Sequence, residues 1–422
     1  MILDPQTLVR RLAALATAKR LMVWGAGLLG VSWFIYIHTI STPGLVDRIG
    51  RFKGTDYIQF YVTGSLVLDH RTDALFDPEA HLAQGRRRIH PDLQLFAPHP
   101  NYGPQVALAF APLALLPFAW SLGVFLVFSA LCYAASVWLL WRECGALRGH
   151  GALVFVLAAA SPLLLTVIRY GQASAVSLLI WSAAFVSLRR SRPFIAGLCI
   201  GCLAFKPQLG IVLAVVFVAA GEWRVVAGAA VAGAGQVAIG WLVAGTSTMA
   251  KYFETLWTLA RDPGLVQLFP SENHSIRGFL QLLAPRFAPA LSVLLSLAAL
   301  ALAVRIWRSD RSLPLRWSAM VVLTILASPH LLTYDLLLLT IPLILVAAWA
   351  VEHYDNALRP SITIVLVLLY FAPFSGNLFA MLTHVQVSVV VMALLAWRLA
   401  ELCGKRADSC SARLSAERPA VA

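Results

Sequence analysis

The sequence predicts an all-α, polytopic integral membrane protein with about twelve transmembrane helices. Of its 422 residues, 59% are hydrophobic and only 13% are charged, and the mean hydropathy is +0.77. Soluble globular chains are nearer half apolar and a quarter charged. Because one bilayer-spanning helix needs about 20 apolar residues, the apolar supply is nearly exhausted by a dozen spans. This composition excludes a soluble enzyme, a disordered chain and a nucleic-acid-binding tail protein.

The second observation is the order of apolar runs along the chain. The runs lie at about 21–40, 104–141, 151–168, 172–188, 193–220, 222–244, 288–306, 315–350, 360–374 and 378–400. Two long polar stretches, 41–103 and 245–287, separate them. We therefore predict a single membrane domain over residues 1–402 and a disordered cytoplasmic tail over 403–422. The first run is too long for a signal-peptide core and is interpreted as a retained span.

The third observation is the placement of basic residues, which give a net charge of +13. Basic residues collect at cytoplasmic helix ends, so the sign of this charge does not indicate nucleic acid here. Arginines flank both ends of the runs 193–220 and 315–350, and each run is therefore predicted to cross twice. The run 104–141 is predicted to cross once, over 120–141, after a segment in the outer leaflet. Both termini are then cytoplasmic, and both polar stretches are outside.

Three of the predicted outward turns carry a basic side chain. The turns fall at Arg169–Gln172, Lys206-Pro207 and Pro329-His330. The halves of the run 193–220 would be only about 20 Å long, against a bilayer core of about 30 Å, so Lys206 should lie below the outer surface. A cation at that depth needs water or a partner. The three basic side chains are typical of an anion site, and Asp335 is either functional or a structural partner of Arg169 or Lys206.

The polar stretches hold further candidate residues, each with a simpler alternative. An amphipathic surface helix is predicted over Tyr57–Leu68, with Asp56 at its start as a functional acid or as a plain helix cap. The Pro-rich turn before the membrane has two interpretations. It is either only a rigid turn at the entry to the membrane, or a sugar-binding segment that acts through Asn101 and Tyr102. Asn273-His274-Ser275 matches a glycosylation sequon, which often occurs by chance.

Several short matches are set aside as packing. The G-x-G-x-x-G letters at residues 25–30 lie inside a span with no preceding strand, and the C-x-x-C spacing of Cys199 and Cys202 falls inside an apolar run. The sequence contains no D-x-D, P-loop or G-x-S-x-G motif. We therefore expect no metal and no other cofactor.

An ordered set of motifs carries a family resemblance from about residue 56 to 384. The motifs are Asp56 with Phe60-Tyr61, Asn101-Tyr102-Gly103-Pro104, Ala111-Pro112-Leu113, Gly171-Gln172, Lys206-Pro207-Gln208, Asn273-His274-Ser275 and Ser328-Pro329-His330. In this order they resemble the polyprenol-phosphate-mannose-dependent α-mannosyltransferases of glycosyltransferase family 87, in the GT-C superfamily. The resemblance implies a GT-C-type fold in the bacterial inner membrane with an active site facing the periplasm. The stretch 331–335 departs from the family, which leaves the sugar contacts open.

The resemblance also implies a mechanism. Asp56 would be the general base that deprotonates an acceptor hydroxyl, and the anomeric carbon would invert. The implied partners are a polyprenyl-phosphate-linked sugar donor, a glycolipid or glycan acceptor and membrane lipids, with no nucleic acid. Donor-phosphate contacts are expected from Lys206, Arg169, His330 and Arg277. Sugar or acceptor contacts are expected from Asn101, Tyr102, Gln172, Gln208, Asn273, His274 and Asp335.

Two other interpretations stay open at this stage. A transporter or flippase for a lipid-linked saccharide would also need cations at depth, but it should show a two-fold internal repeat, which the sequence lacks. A related transferase could use another donor sugar, such as arabinose, glucose or galactose. The sequence does not identify the acceptor.

Overall fold

The computed structural model describes residues 4–94, 101–262, 265 and 269–404. Within these residues the secondary structure is helical, apart from one isolated antiparallel bridge between Val46 and Phe52. This confirms the all-helical prediction for a polytopic membrane protein. The predicted tail beyond residue 404 and the Pro-rich stretch 95–100 lie outside the described residues.

The described residues up to Arg142 form six α-helices. They are α1 Pro5–Ala13, α2 Ala18–Ile40, α3 Tyr57–Leu68, α4 Pro78–Arg88, α5 Pro104–Phe110 and α6 Phe118–Arg142. Asp4 caps α1 through Thr7, and Thr17 caps α2 through the Arg20 amide, so a short break separates the two helices. The predicted helix over residues 57–68 is present with the same bounds.

The middle of the chain forms six more helices. They are α7 Gly151–Ala159, α8 Pro162–Tyr170, α9 Ser174–Arg189, α10 Pro193–Gly201, α11 Pro207–Ala220 and α12 Trp223–Arg261. Pro162, Pro193 and Pro207 each stand at the start of a helix, where the missing N–H costs nothing. Pro207 therefore divides the run 193–220 as predicted, and Pro162 also breaks the run 151–168, which was predicted as a single helix.

The last part of the described chain forms seven helices. They are α13 Ile276–Leu283, α14 Ala288–Trp307, α15 Leu313–Ala327, α16 Thr340–Glu352, α17 Arg359–Phe371, α18 Gly376–Thr383 and α19 Val387–Gly404. A 3₁₀ segment, Thr333–Leu339, leads directly into α16. The break between α15 and this segment falls at Pro329-His330, as predicted.

Six helices of the described chain are long and apolar enough to cross a membrane. The pair α7–α8, bent by 44°, makes a seventh candidate. Shorter apolar helices lie at five further predicted crossings, namely α9, α10 with its 3₁₀ extension, α11, α15 and α17. The structure thus shows a multi-pass arrangement, and the count of twelve crossings stays a prediction.

Two predictions about the polar stretches are wrong. Helix α3 is not an amphipathic surface helix, because nine of its twelve residues are buried under α5, α6 and neighbouring turns. The stretch 245–287 is not a loop throughout, since α12 bends at Gly245 (φ 76°) and then continues to Arg261. Protein covers the apolar side chains of α3, whereas α12 beyond Gly245 buries Met249 and Tyr252 and leaves Phe253 and Trp257 exposed.

Small residues bring α10 and α12 into close contact. A Cβ atom on Gly197 would lie 2.1 Å from the Val225 carbonyl oxygen, and one on Gly228 would lie 2.2 Å from the Phe194 oxygen. Gly201 meets α12 in the same way, so the pair packs through a G-x-x-x-G spacing. Of the glycines at residues 25–30, only Gly25 makes a close helix contact, with Leu157. A Cβ atom added to Gly27 or Gly30 would have no neighbour within 4 Å.

Candidate active site

The chain places Asp56 against the outward turn between α8 and α9. The backbone N–H of Asp56 donates to the Tyr170 carbonyl over 2.9 Å. The next residue, Gly171, ends α8 in the left-handed conformation (φ 69°). A Cβ atom there would also lie 2.7 Å from Cβ of Tyr57. Glycine therefore permits both the turn and the close approach of the two segments.

The Asp56 carboxylate does not cap α3, which excludes the plain helix-cap interpretation. Its Oδ2 accepts a hydrogen bond from Nε2 of Gln172 over 2.7 Å, and it also hydrogen-bonds to Tyr334. Gln172 is buried, and its Oε1 accepts from the Ala173 amide, which fixes the orientation of the side-chain amide. Asp56 itself is only partly buried. The carboxylate is thus held in place and remains partly accessible.

Burial raises the pKa of Asp56 from 3.8 to about 6. The hydrogen bonds from Gln172 and Tyr334 and the charge of Lys206 oppose this increase, and Asp335 adds to it. Desolvation disfavours the charged form of an acid, so a half-neutralised carboxyl near pH 6 is the expected result. A pKa close to the operating pH is what a general base requires.

Tyr102 lies near this carboxylate, and Asn101 precedes it and bonds to α3. The Tyr102 ring packs on Phe60 with 4.8 Å between the centroids, and its hydroxyl hydrogen-bonds to Gln172. Asn101 accepts a long hydrogen bond (3.4 Å) from Gln59. Both Tyr102 and Asn101 are partly exposed. The structure thus brings Tyr102 to Asp56 through Gln172 and places Asn101 at the rim.

Lys206 and Asp335 form a buried ion pair below Asp56. Nζ of Lys206 lies 2.5 Å from Oδ1 of Asp335, and the two residues are 2% and 4% exposed. Ser174 donates to the same carboxylate oxygen over 2.7 Å and accepts from Lys206 over 3.0 Å. The Lys206 ammonium also lies 5.2 Å from the centre of the Tyr334 ring. The sequence left Asp335 either as a functional acid or as a structural partner of Arg169 or Lys206. The structure shows Asp335 paired with Lys206.

His330, Arg277 and Arg169 are the remaining predicted phosphate contacts. Burial lowers the pKa of His330, and the charges of Lys206 and Arg277 lower it further, against the opposing effect of Asp335. Nδ1 of His330 is buried and has no hydrogen-bond partner among the described residues. Arg277 is partly exposed in the first turn of α13, and Arg169 is exposed in the last turn of α8. His330 thus lies near Arg277 and near the Lys206–Asp335 pair, whereas the charge of Arg169 acts on Tyr36 of α2.

Asn273 and His274 are buried structural residues in this fold. Asn273 is 0% exposed, and its amide donates to the Pro329 carbonyl and accepts from the Leu331 N–H, each over 3.1 Å. His274 is 3% exposed and bonds to Thr333 and Ser388 through its two ring nitrogens. These bonds fasten the second polar stretch to the segment that carries His330. Asn273 therefore connects the two segments by hydrogen bonds, and its burial leaves the sequon inaccessible to glycosylation in this fold.

Gln208 and two residues that the sequence did not single out complete the arrangement. The Gln208 carbonyl accepts a 3.4 Å bond from Ser328, and its side chain is partly exposed. Tyr334 bonds to Asp56, and Ser174 joins Lys206 to Asp335. Tyr334 stands next to Asp335 in the sequence, which was the available signal. Ser174 gave no signal, because serines are frequent in membrane helices.

Among the described residues, no group of three or more His, Cys, Asp or Glu side chains converges to hold a metal ion. Cys199 and Cys202 are both free, and Cys202 is exposed instead of packed inside the protein. The groups that converge are the partly accessible Asp56 carboxylate with Gln172, Tyr334 and Tyr102, and the buried Lys206–Asp335 pair near His330.

A protein-family model described as glycosyltransferase family 87 matches residues 101–329, which is just over half of the 422 residues. The matched stretch includes Tyr102, Gln172, Lys206 and Asn273, while Asp56 precedes it. No curated protein and no solved structure matches the chain. The multi-pass helical structure agrees with the family match. The chain belongs to glycosyltransferase family 87 and is a membrane glycosyltransferase.

Proposed function

We propose that the protein transfers a hexose, mannose in the first instance, from a polyprenyl-monophosphate donor to a hydroxyl of a glycolipid or glycan. Asp56 takes the proton from the acceptor hydroxyl, and the acceptor oxygen attacks the anomeric carbon from the face opposite the phosphate. The bond from that carbon to the phosphate oxygen breaks, so the configuration inverts and polyprenyl phosphate leaves. The observation that carries the proposal is the partly accessible Asp56 carboxyl, with a pKa of about 6, in a membrane glycosyltransferase.

The leaving phosphate needs positive charge or hydrogen-bond donors. Lys206 is almost completely buried and is already neutralised by Asp335. We therefore assign direct phosphate contact to Arg277, Arg169 and His330. To the Lys206–Asp335 pair we assign the role of holding Ser174 and Tyr334 in place. This arrangement requires no metal to hold the donor, in agreement with the absence of a D-x-D motif.

The distribution of basic side chains supports a site on the extracytoplasmic face, which in the proposed bacterial inner membrane is the periplasmic face. Arginines mark the ends of helices opposite to Asp56: Arg189 ends α9, Arg305 lies in the last turn of α14, and Arg359 begins α17. Cytoplasmic helix ends carry such an excess of basic residues. Asp56 and the first polar stretch then lie outside, on the same face as a lipid-linked donor in the outer leaflet.

The transporter alternative is weaker in this fold. Family membership indicates transfer chemistry, which a transporter does not perform. Mannose and the GT-C-type arrangement of one domain over residues 1–402 remain parts of the proposal. They rest on the motif order around Asp56, Lys206 and His330.

The test is transfer of radiolabelled mannose from polyprenyl-phosphate-mannose, in membranes that contain the wild type or Asp56→Asn. The matched control is Asp92→Asn, which removes an exposed acid from the same polar stretch. We expect the loss of one general base to reduce transfer by about 10²- to 10⁴-fold in Asp56→Asn. Asp92→Asn should retain full activity. EDTA should leave wild-type transfer unchanged.

Each alternative outcome refutes a stated part of the proposal. Full transfer by Asp56→Asn would exclude Asp56 as the base. If the wild type is active only with another polyprenyl-phosphate sugar, that sugar and not mannose is the donor sugar. Movement of the labelled donor across the membrane without transfer would favour the transporter.

A further inference from the structure

An apolar cavity of about 290 Å³ lies at the end of the helix bundle away from Asp56. Side chains of α2, α7, α16 and α17 form its walls, including Leu28, Leu153, Leu343 and Val367. The 3₁₀ segment that precedes α16 carries Tyr334 at the active site, and α16 then runs away from it. The cavity is therefore separate from the site of sugar transfer.

The walls leave almost only hydrocarbon facing the cavity. The Tyr133 hydroxyl donates to the Ala158 carbonyl over 3.0 Å, and the Tyr370 hydroxyl donates to the Leu157 carbonyl over 2.8 Å. Both hydroxyls lie on the cavity wall, and both are already hydrogen-bonded to backbone carbonyls. An occupant therefore gains from apolar contact and not from hydrogen bonds in the interior.

The cavity has the depth of one bilayer leaflet. Both Arg359 and Phe371, at the two ends of α17, belong to its lining. Twelve residue steps at about 1.5 Å each give about 18 Å of helix. Half of a bilayer core is about 15 Å. One acyl chain lying along α17 would thus extend through the leaflet opposite to Asp56.

The mouth of the cavity is basic. Arg359 lies there, with Nε bonded to the Ala350 carbonyl and its guanidinium 4.1 Å from the centre of the Tyr354 ring. Lys19 and Arg20 stand in the first turn of α2, next to Ala18 in the lining. The remaining charged side chains of α1 and of the neighbouring helix ends at this mouth are Asp4, Arg10, Arg11, Arg148, Glu352 and Asp355. Basic side chains outnumber acidic ones, which matches an anionic headgroup.

We infer that this cavity binds one acyl chain of an anionic glycerophospholipid, with its phosphate at Arg359 and Lys19. The amphipathic helix α1 packs against α17 and places Arg10 and Arg11 on the same side. The site is independent of the proposed sugar transfer, because the phosphate of the sugar donor would lie at the opposite end of the bundle. The bound acyl chain fills the space between α2 on one side and α16 and α17 on the other.

The experiment measures lipid that is retained by the purified full-length protein after exchange into a neutral detergent. Retained lipid is identified by native mass spectrometry and by chromatography of the extracted lipids. The protein is then titrated with phosphatidylglycerol or phosphatidylcholine of the same acyl chains. We expect one bound phospholipid per protein and a preference for phosphatidylglycerol.

Two variants separate the acyl chain from the headgroup. Ala347→Trp fills the cavity and should abolish retention, whereas Val127→Trp, on the lipid-facing side of α6, should not. Arg359→Gln should reduce the preference for phosphatidylglycerol about fivefold. Arg224→Gln, which removes an exposed arginine near the start of α12, should leave the preference unchanged. Thermal unfolding of each variant identifies any that fails to fold, and Ala158→Phe provides a second cavity-filling variant.

Three results would overturn the inference. Equal retention by the wild type, Ala347→Trp and Ala158→Phe would show that lipid does not occupy the cavity. Equal binding of the two headgroups would remove the role of the basic mouth. A retained polyprenyl phosphate instead of a phospholipid would show that the tail of the donor, and not a membrane lipid, fills this space.

Discussion

Replacing Asp56 with asparagine should make the protein more stable while it removes activity. The carboxyl is partly buried and hydrogen-bonded to Gln172 and Tyr334, and burial raises its pKa from 3.8 to about 6. Between these two values the native state binds more protons than the unfolded state. Stability therefore falls as the pH rises from about 4 to about 6, and the full loss is present at neutral pH. Asparagine is uncharged at every pH and avoids this loss.

The size of the effect follows from the pKa difference. Two pKa units correspond to about 3 kcal/mol at pH 7.5. Because Asp56 is partly solvated and asparagine weakens the bonds to its partners, we expect a gain of about 1–2 kcal/mol. For a chain of this length, 1 kcal/mol corresponds to a shift of about 1 °C in Tm.

The assay is thermal unfolding of the wild type and Asp56→Asn in one detergent, at pH 7.5 and at pH 4. The variant should have the higher Tm at pH 7.5, and the difference should shrink toward zero or reverse at pH 4, where the wild-type carboxyl is protonated. Asp92→Asn is again the control. A lower Tm for Asp56→Asn at pH 7.5, or a difference that does not change with pH, would refute the assigned burial of the charge.

Three further predictions follow from the same site. Transfer should rise with pH, with half of the acid-limb activity near pH 6, because only ionised Asp56 accepts a proton; a limb near pH 4 in a pH–rate profile would contradict this. Lys206→Met should destabilise by about 3–5 kcal/mol because Asp335 is left buried and unpaired, and adding Asp335→Asn should restore part of the loss in chemical denaturation. Asn273→Ala should cost about 1–3 kcal/mol, since the buried Leu331 N–H loses its acceptor, which hydrogen exchange at Leu331 would report.

The turns that bear the site were predictable from the sequence, because their causes are local. Proline cannot continue a helix, and a charged side chain is costly at depth. Lys206-Pro207 and Pro329-His330 therefore had to be breaks, and Gly171 had to end α8. The aromatic and apolar pattern after Asp56 predicted α3 and placed Asp56 at its start.

The partners of these residues were not predictable, because they depend on three-dimensional packing. Asp335 could pair with Arg169 or with Lys206, and only the path of the chain between α11 and α16 decides for Lys206. The motif around Asn273 and His274 resembled a sugar-binding or glycosylation site, yet both side chains point inward to hold a turn. The burial of α3 was not predicted, because the sequence pattern of an apolar helix face is the same whether lipid or protein covers that face.

The ion pair between Lys206 and Asp335 has a consequence for synthesis of the chain. Its two members are 129 positions apart. At about 5–20 residues per second, Lys206 emerges roughly 6–26 s before its partner. During this interval the nascent chain must keep the ammonium hydrated or bound elsewhere, while α10 can already pack against α12. The Lys206–Asp335 pair is therefore completed late, and a chain interrupted before Asp335 leaves the Lys206 ammonium without this partner.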